Sequence, residues 1–522
     1  MTWLSEHQPE WAHSCAGGTH CSWRGVWAAV RAIAHPERQT WTLLATILGS
    51  SMAFIDASVV NVALPTIGRD LGLGLVGRQW VFLSYSLALA SFYLVGGAAG
   101  DRYGHRRTFL WGVSGFAVAS VLAGAAPDGG FLIGARALQG VAGAFLTTGS
   151  LSTLRAAYGS ESGRALGLWT AWTGITSVVG PPLGAVLTEY ASWRLIFFVN
   201  PPLAVVVYVC ARRGVDDDPV PTAVRRPFDV AGSVWVAVGL ASLTYALVEW
   251  RSDGAAGVAW ALVLGLVSLA AFVVRELRSA NPILRLSLFR GRNFSAANLE
   301  TLFVYGAIGG AGFYLALYLQ TVIGYSPLEA SVVLLPVSAV MLILSGMFGR
   351  LADRHGPRLY LSVGPVLIAL AMMLWSRVSN RSSWWELALG VAVYSLGLAV
   401  TVAPITATAL SSVPPGLAGT ASGVNNTLSR VGSLLAVAVM GVLISTVYTS
   451  NAPHSAFRPL TGAPPTVLAR SASVDAWRAA MLLAAAFALA GGLVAALRVS
   501  NTEALTGNPA DEGAAPAPIA VR

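Results

Sequence analysis

A carboxylate surrounded by hydrocarbon can take up and release a proton in step with changes around it, because its charged form is costly there. Asp56 is such a group: it is the sole charge in the apolar run 41–64. Three other charges are placed alike. Arg136 is alone in the run 131–154, Glu300 in 294–323, and Arg430 in 421–446. An Asp and an Arg at comparable depth can form an ion pair, and a proton or a ligand that competes for either member would break it. Asp56 lies about 13 Å from the boundary marked by Pro65, at 1.5 Å of helix rise per residue, and Arg136 at broadly comparable depth. Glu300 is a second candidate for proton handling, near the start of its run. Arg430 can receive an anionic group or brace Asn425 and Asn426.

Other chemistries are excluded by residue type. All 33 basic residues are Arg. Without Lys there is no phosphate-gripping Walker loop and no Schiff base. The seven His (His7, His13, His20, His35, His105, His355 and His454) all fall outside apolar runs, which excludes a His-held metal or haem within a membrane. His13, Cys15, His20 and Cys21 sit close together but match no standard zinc spacing. The run Gly72-Leu-Gly74-Leu-Val-Gly77 has dinucleotide-binding spacing, yet it follows an apolar span instead of a strand. No metal, cofactor or nucleic-acid partner is expected.

The elements that position these groups are spanning helices. Of the 522 residues, 55% are apolar and 11% charged, too few charges to clothe a soluble surface of this size. Windows long enough for a bilayer occur at 41–64, 80–99, 108–126, 131–154, 165–189, 195–211, 229–250, 257–274, 294–323, 330–348, 359–376, 384–410, 421–446 and 477–497. The run 195–211 is short and carries Pro201 and Pro202, which kink or lengthen it. An even count puts both termini on one side. The loops on that side hold nearly twice as many Arg as the opposite loops, which places both termini in the cytoplasm. The net charge of +9 is therefore a topology and anionic-lipid signal.

The chain also repeats. Gly97-Ala-Ala-Gly-Asp101-Arg102-Tyr-Gly104-His-Arg106 recurs as Gly349-Arg-Leu-Ala-Asp353-Arg354-His-Gly356-Pro-Arg358, and Gly163-x-Ala165-x-Gly167 recurs as Gly419-x-Ala421-x-Gly423. Duplicated membrane halves place a binding site between them, near mid-depth. The expected fold is all-α and integral to the membrane, with fourteen transmembrane helices arranged as two pseudo-symmetric six-helix bundles plus an inserted helix pair. Its divisions are a cytoplasmic leader at 1–39, a first bundle at 40–211, a linker with the inserted seventh and eighth helices at 212–293, a second bundle at 294–497 and a disordered cytoplasmic tail at 498–522. The stretch 447–476 reads as an irregular outer loop.

Several of these runs resemble signatures of the major facilitator superfamily. The Gly97–Arg107 segment is similar to its loop motif Gly-x-Leu-Ala-Asp-Arg-x-Gly-Arg-Lys, with Ala99, Gly100 and His105 departing. Arg136-Ala-Leu-Gln139-Gly140 resembles its fourth-span motif. Gly167-x8-Thr176-x3-Gly180-Pro181-Pro182-Leu183-Gly184 resembles the fifth-span motif of its exporters and antiporters, with Thr176 and Ala185 in place of glycines. Asp56-Ala-Ser-Val-Val-Asn61-Val-Ala-Leu-Pro65 is similar to the first-span signature of its fourteen-span drug:proton antiporter branch. Gln79-Trp80-x4-Tyr85, Trp193-Arg194-x-Ile196-Phe197-x2-Asn200-x-Pro202 and Asn425-Asn426-x3-Arg430-x-Gly432 fit the same branch.

The resemblance implies a proton-coupled exporter of an amphipathic drug or antibiotic, working as a monomer in the plasma membrane by alternating access. It needs no cofactor and draws on the proton gradient. Asp56, Arg136 and Glu300 would serve coupling. Gly97, Asp101, Arg102, Gly104, Arg106, Asp353, Arg354 and Gly356 would form the cytoplasmic gate, and Gly167, Gly180, Pro181 and Gly184 the antiporter bend. Asn61, Tyr85, Gln139, Trp172, Tyr305, Asn425 and Arg430 would line the substrate cavity. An uptake symporter for a metabolite is the alternative within transport, disfavoured by the fifth-span motif. A membrane enzyme or receptor is the remote alternative, since the spans carry no clustered His, Cys or paired Asp.

Overall fold

The computed structural model describes residues 38–158, 162–215, 230–279, 286–379, 382–414, 417–452, 459–460, 462, 464 and 466–501. The His/Cys cluster of the leader and the Ala/Pro-rich tail beyond position 501 lie outside the described residues. Among the described residues there is no strand.

The chain runs as α1 (Arg38–Asp70), α2 (Leu75–Tyr103), α3 (His105–Gly124), α4 (Gly129–Tyr158), α5 (Ser162–Tyr190), the short α6 (Leu195–Phe198), α7 (Asn200–Gly214) and the long α8 (Val230–Arg278). A 3-10 turn at Leu286–Arg290 leads into α9 (Arg292–Tyr318), which ends in a π turn at Leu319–Ile323. Then follow α10 (Pro327–His355), α11 (Arg358–Trp375), α12 (Trp384–Ser411), α13 (Ala418–Asn451) and α14 (Val467–Arg498). Twelve described stretches are long and apolar enough to cross a membrane. The helices α2 and α5, of 29 residues each, are not among those twelve and cover the windows 80–99 and 165–189.

Local chemistry explains the breaks. The α2–α3 turn closes on Gly104 at φ 92° and the α10–α11 turn on Gly356 at φ 87°, so the sequence repeat is the same left-handed turn made twice. In α8, Gly254 at φ 71° divides Ala231–Trp250 from Asp253–Arg278, the two spans expected at 229–250 and 257–274. Pro201 and Pro202 occupy the first turn of α7, where a missing N–H is least costly. Val199 keeps helical dihedrals, so Leu195–Gly214 forms one 20-residue span. Ser326 and Glu329 form a capping box at the start of α10.

The packing repeats as well. α1 lies against α5 and α7 as α9 lies against α13 and α14; α2 and α3 lie against α4 as α10 and α11 lie against α12. Between the early and late helices, α5 meets α10 and α2 meets α13, a pair of contacts that the same correspondence exchanges. α8 rests against both α2 and α13.

Contacts across this seam gather at the end opposite to Arg38 and Arg498. The Gln79 side-chain N–H donates to Tyr314 Oη (2.9 Å) and to the Val437 carbonyl (3.2 Å), and Tyr314 Oη donates to that carbonyl at 2.7 Å. Gln320 donates to the Val62 carbonyl at 3.0 Å and Asn61 to the Gly312 carbonyl at 3.3 Å. Glu189 Oε2 accepts from the Leu328 N–H at 3.0 Å. A single apolar cluster that includes Val59, Leu64, Val81, Ala311, Tyr314 and Val437 fills the space between them.

Candidate functional site

Asp56 is 2% exposed and Arg136 not at all. Arg136 Nη1 donates directly to Asp56 Oδ2 across 80 residues of chain, an ion pair closed off from solvent. Gln139, one turn along α4 from Arg136, completes a triangle: its Oε1 accepts from Arg136 Nη1 at 2.6 Å while its Nε2 donates to Asp56 Oδ1 at 2.7 Å. The same Nε2 donates to Ser120 Oγ of α3 at 2.9 Å. Asn200 Nδ2, on α7, donates to Ser120 Oγ at 3.2 Å and reaches Asp56 Oδ1 at 3.4 Å.

Both carboxylate oxygens are thereby solvated by protein donors in place of water. That is the condition under which a charge pair survives burial. Arg136 is further held by the Val81 carbonyl at 3.3 Å and by the Tyr85 ring, 4.3 Å from its carbon centre to the centroid. Its Nη2 has no partner among the described residues.

The helices are aligned by small residues. A side chain at Gly180 would strike Ser58, and one at Gly184 would strike Val59, on the stretch of α1 just after Asp56. The fifth-span glycines, spaced four apart on one face of α5, therefore let that helix lie directly on the strip beside the carboxylate. Pro181, between them, faces a cavity of about 150 Å³ shared with Gly312, Leu315, Leu334 and Tyr394 from the late helices. The surroundings of Gly167 lie outside the described residues.

The other expected site residues divide into groups. Tyr85 (2% exposed) and Gln139 (fully buried), expected on a cavity wall, are instead packed around the ion pair. Tyr85 also donates to the Ala53 carbonyl at 3.4 Å. Asn425 is buried and donates to Thr301 Oγ1 at 2.8 Å, tying α13 to α9. Asn61 belongs to the seam contacts. Trp172, Tyr305 and Arg430 are half-buried.

Glu300 is wholly buried on α9, and neither carboxylate oxygen has a partner among the described residues. No described contact joins it to Asp56. In the repeated loop, Arg102, Asp353 and Arg354 are exposed, Arg102 lying 5.4 Å from the Tyr103 ring centroid, while Gly97 and Arg106 are half-buried. The side chain of Asp101 lies outside the described residues. Arg358, at the repeat's end, donates to the Ala496 carbonyl near the end of α14.

Sequence reasoning missed Ser120 and the part played by Asn200. Asn200 carried a signal, a polar amide within an apolar span, whereas nothing marked Ser120.

Apolar helices whose packing repeats along the chain, enclosing an ion pair and tied together at one end, have the architecture of a membrane transporter. The chain belongs to the Major Facilitator Superfamily, whose sequence profile matches residues 46–437. It is 36% identical over 424 residues to the multidrug resistance protein Stp of Mycobacterium tuberculosis, covering 80% of this chain and 78% of that one. To the tetracenomycin C resistance and export protein of Streptomyces glaucescens it is 34% identical over 411 residues, 77% of this chain and 76% of that one. Among solved structures, a bacterial homolog of the human lysosomal transporter Spinster, in an inward-facing and unoccupied conformation, aligns with a TM-score of 0.66 at 17% identity. That alignment covers 92% of this chain and all of that one. The protein is thus a multi-pass membrane transporter.

Proposed function

We propose that the protein exports amphipathic drugs or antibiotics in exchange for protons. The observation that carries this reading is the enclosed Asp56–Arg136–Gln139 cluster, set against the strip of α1 on which the fifth-span glycines of α5 rest. The resistance and export functions named for its relatives support the direction of transport.

In this reading fourteen spans form two six-helix bundles, 40–211 and 294–497, with the α8 pair inserted between them and the chain termini in the cytoplasm. The leader 1–39 and tail 498–522 flank this transport unit, which acts as a monomer. At the end this reading takes as outer, Gln79, Tyr314, Gln320 and Asn61 hold the seam together.

Arg136, Gln139 and Asn200 surround the Asp56 carboxylate with donors. A proton arriving on Asp56 removes the charge that Arg136 answers and loosens α4 from α1. That lowers the cost of α5 sliding on α1 and of the two bundles tilting. Releasing the proton to the cytoplasm restores the pair and resets the cycle. Glu300, the second buried acid, would contribute from the other bundle. The glycine turns at Gly104 and Gly356, with Asp101, Arg102, Arg106, Asp353 and Arg354, would latch the cytoplasmic face when the bundles close there.

The test is transport by inverted vesicles with an acid interior, with a susceptibility panel in host cells. Uptake of drug-like dyes that collapses when the proton gradient is dissipated is expected. Accumulation that ignores the gradient, or a panel with no shift for any compound, refutes the reading.

A further inference from the structure

Asp56, Arg136, Glu300 and Arg430 are the charged side chains set more than a turn inside the apolar runs, and burial separates them sharply. The first three are at most 2% exposed; Arg430 is half-exposed. Arg430 stands about 18 Å along α13 from Ala418 at 1.5 Å per residue, roughly mid-depth in a bilayer. Ser422, Asn426 and Arg430 recur every fourth residue and so share one helix face, on which Asn426 is exposed and the other two half-buried. A polar, open stripe on a spanning helix faces a water-filled space, since hydrocarbon would not accommodate it.

That space lies between the two halves. One turn further along α13, Ser433 Oγ donates to the Tyr305 carbonyl at 2.9 Å, seating this part of α13 against α9. Val437, two helical turns from Arg430 on the same face of α13, accepts from Gln79 of α2, so the stripe looks toward the opposite half. A second cation, Arg155 near the end of α4, is likewise half-buried. Among the described residues no carboxylate pairs with Arg430 or Arg155, the ion pairs found being Arg136–Asp56, Arg194–Asp70 and Arg478–Asp475. Among the four deep charges the two acids are enclosed, and the accessible one, Arg430, is positive.

Building on the export reading above, we propose that the cavity selects amphipathic compounds bearing an anionic group, a carboxylate or phenolate on an aromatic frame, with Arg430 as the group that receives the anion. The planar guanidinium presents paired donors that match a carboxylate, and it is more weakly hydrated than an ammonium would be. Tyr305 of α9, whose carbonyl accepts from Ser433 one turn along α13 from Arg430, is half-buried and offers ring surface suited to an aromatic ligand. Arg155, in the last turn of α4 and far along the seam from Gln79, draws anions inward. The reduced dielectric of a narrow site strengthens the attraction for one sign of charge and penalises the other.

Fluorescein and rhodamine 123 share a xanthene frame and carry opposite charge, so they separate charge selection from hydrophobic fit. Binding of each to the purified full-length protein is read by fluorescence anisotropy without any pH gradient, for wild type, Arg430→Gln and Arg430→Lys. Thermal melting checks that each variant is folded. Wild type is expected to prefer fluorescein. Arg430→Gln should weaken fluorescein by on the order of tenfold or more and tighten rhodamine 123. Arg430→Lys, which keeps the charge without the fork, should fall between.

Failure of wild type to bind fluorescein overturns the assignment, as does equal weakening of both dyes in Arg430→Gln or no change in either. If rhodamine 123 is still pumped by vesicles in such a case, export stands and anion selection falls. Selective fluorescein binding with no gradient-driven movement of either dye upholds the selectivity and removes export.

Discussion

Replacing Asp56 by Asn keeps the shape of the side chain and removes its charge. The carboxamide oxygen can still accept from Gln139 and Asn200, which donate to Oδ1 at 2.7 and 3.4 Å. On the other side an NH₂ group now meets Arg136 Nη1, donor against donor, and the guanidinium keeps Gln139, the Val81 carbonyl and the Tyr85 and Phe197 rings. Breaking a buried pair by removing one partner costs about 3–5 kcal/mol, because the remaining charge stays in a poor solvent. The surviving hydrogen bonds to Arg136, about 1.5–3 kcal/mol for each bond to a charged group, offset part of this and keep the protein folded.

Asp56→Asn should therefore melt at a lower temperature than wild type. Adding Arg136→Gln should recover part of the loss, since the orphaned charge is then gone. Neither variant should carry out transport driven by a pH gradient, while wild type does so in the same vesicles. Undiminished gradient-driven transport by Asp56→Asn refutes the coupling argument. A double variant less stable than the sum of the two single losses refutes the electrostatic one.

Gly184→Val should press α5 away from α1 at Val59, lowering stability by about 1–3 kcal/mol as overpacked sites do; it should slow transport with Asp56 intact, and normal melting with normal transport would show that the close approach is dispensable. Gln79→Ala removes the amide bonds to Tyr314 and Val437 across the sealed end, worth about 1–3 kcal/mol together. In a background with the native cysteines replaced, a cysteine introduced by Asn61→Cys should then react faster with an impermeant maleimide added outside, and an unchanged rate would remove Gln79 from the seal. Glu300→Gln should melt no lower than wild type, because no described donor holds the carboxylate, and should reduce the number of protons moved per substrate as measured by reversal potential. An unchanged ratio would take Glu300 out of coupling.

Much of this molecule is written along the chain. Scarcity of charge demands a membrane, and apolar length finds twelve of the spans, although α14 begins at Val467, ten residues before its window and inside the stretch 447–476 expected to be irregular. The isolated charges mark depth, and the doubled Gly-Asp-Arg-Gly run becomes two turns closed by glycines at nearly equal positive φ. These follow from one-dimensional quantities, namely hydropathy, residue type and order. The helices run past their apolar windows, α1 to Asp70 and α7 to Gly214, because hydrogen bonding continues into the interface where hydropathy already falls.

What periodicity could not tell is which way each helix is turned. A span such as α1 is apolar on nearly every side, since both lipid and neighbouring helices accept hydrocarbon, so no stripe announces its buried face. Only the packing decided that Asp56, Ser120, Gln139 and Asn200 meet from four helices, that Tyr85 and Gln139 serve the ion pair, and that Arg430 alone among the deep charges is left open. The identities of these residues were legible because charge in hydrocarbon is costly wherever it stands. Their partnership was not, because it depends on helix rotation and on contacts between separate helices, most of them 80 or more residues apart, which only close packing in three dimensions settles.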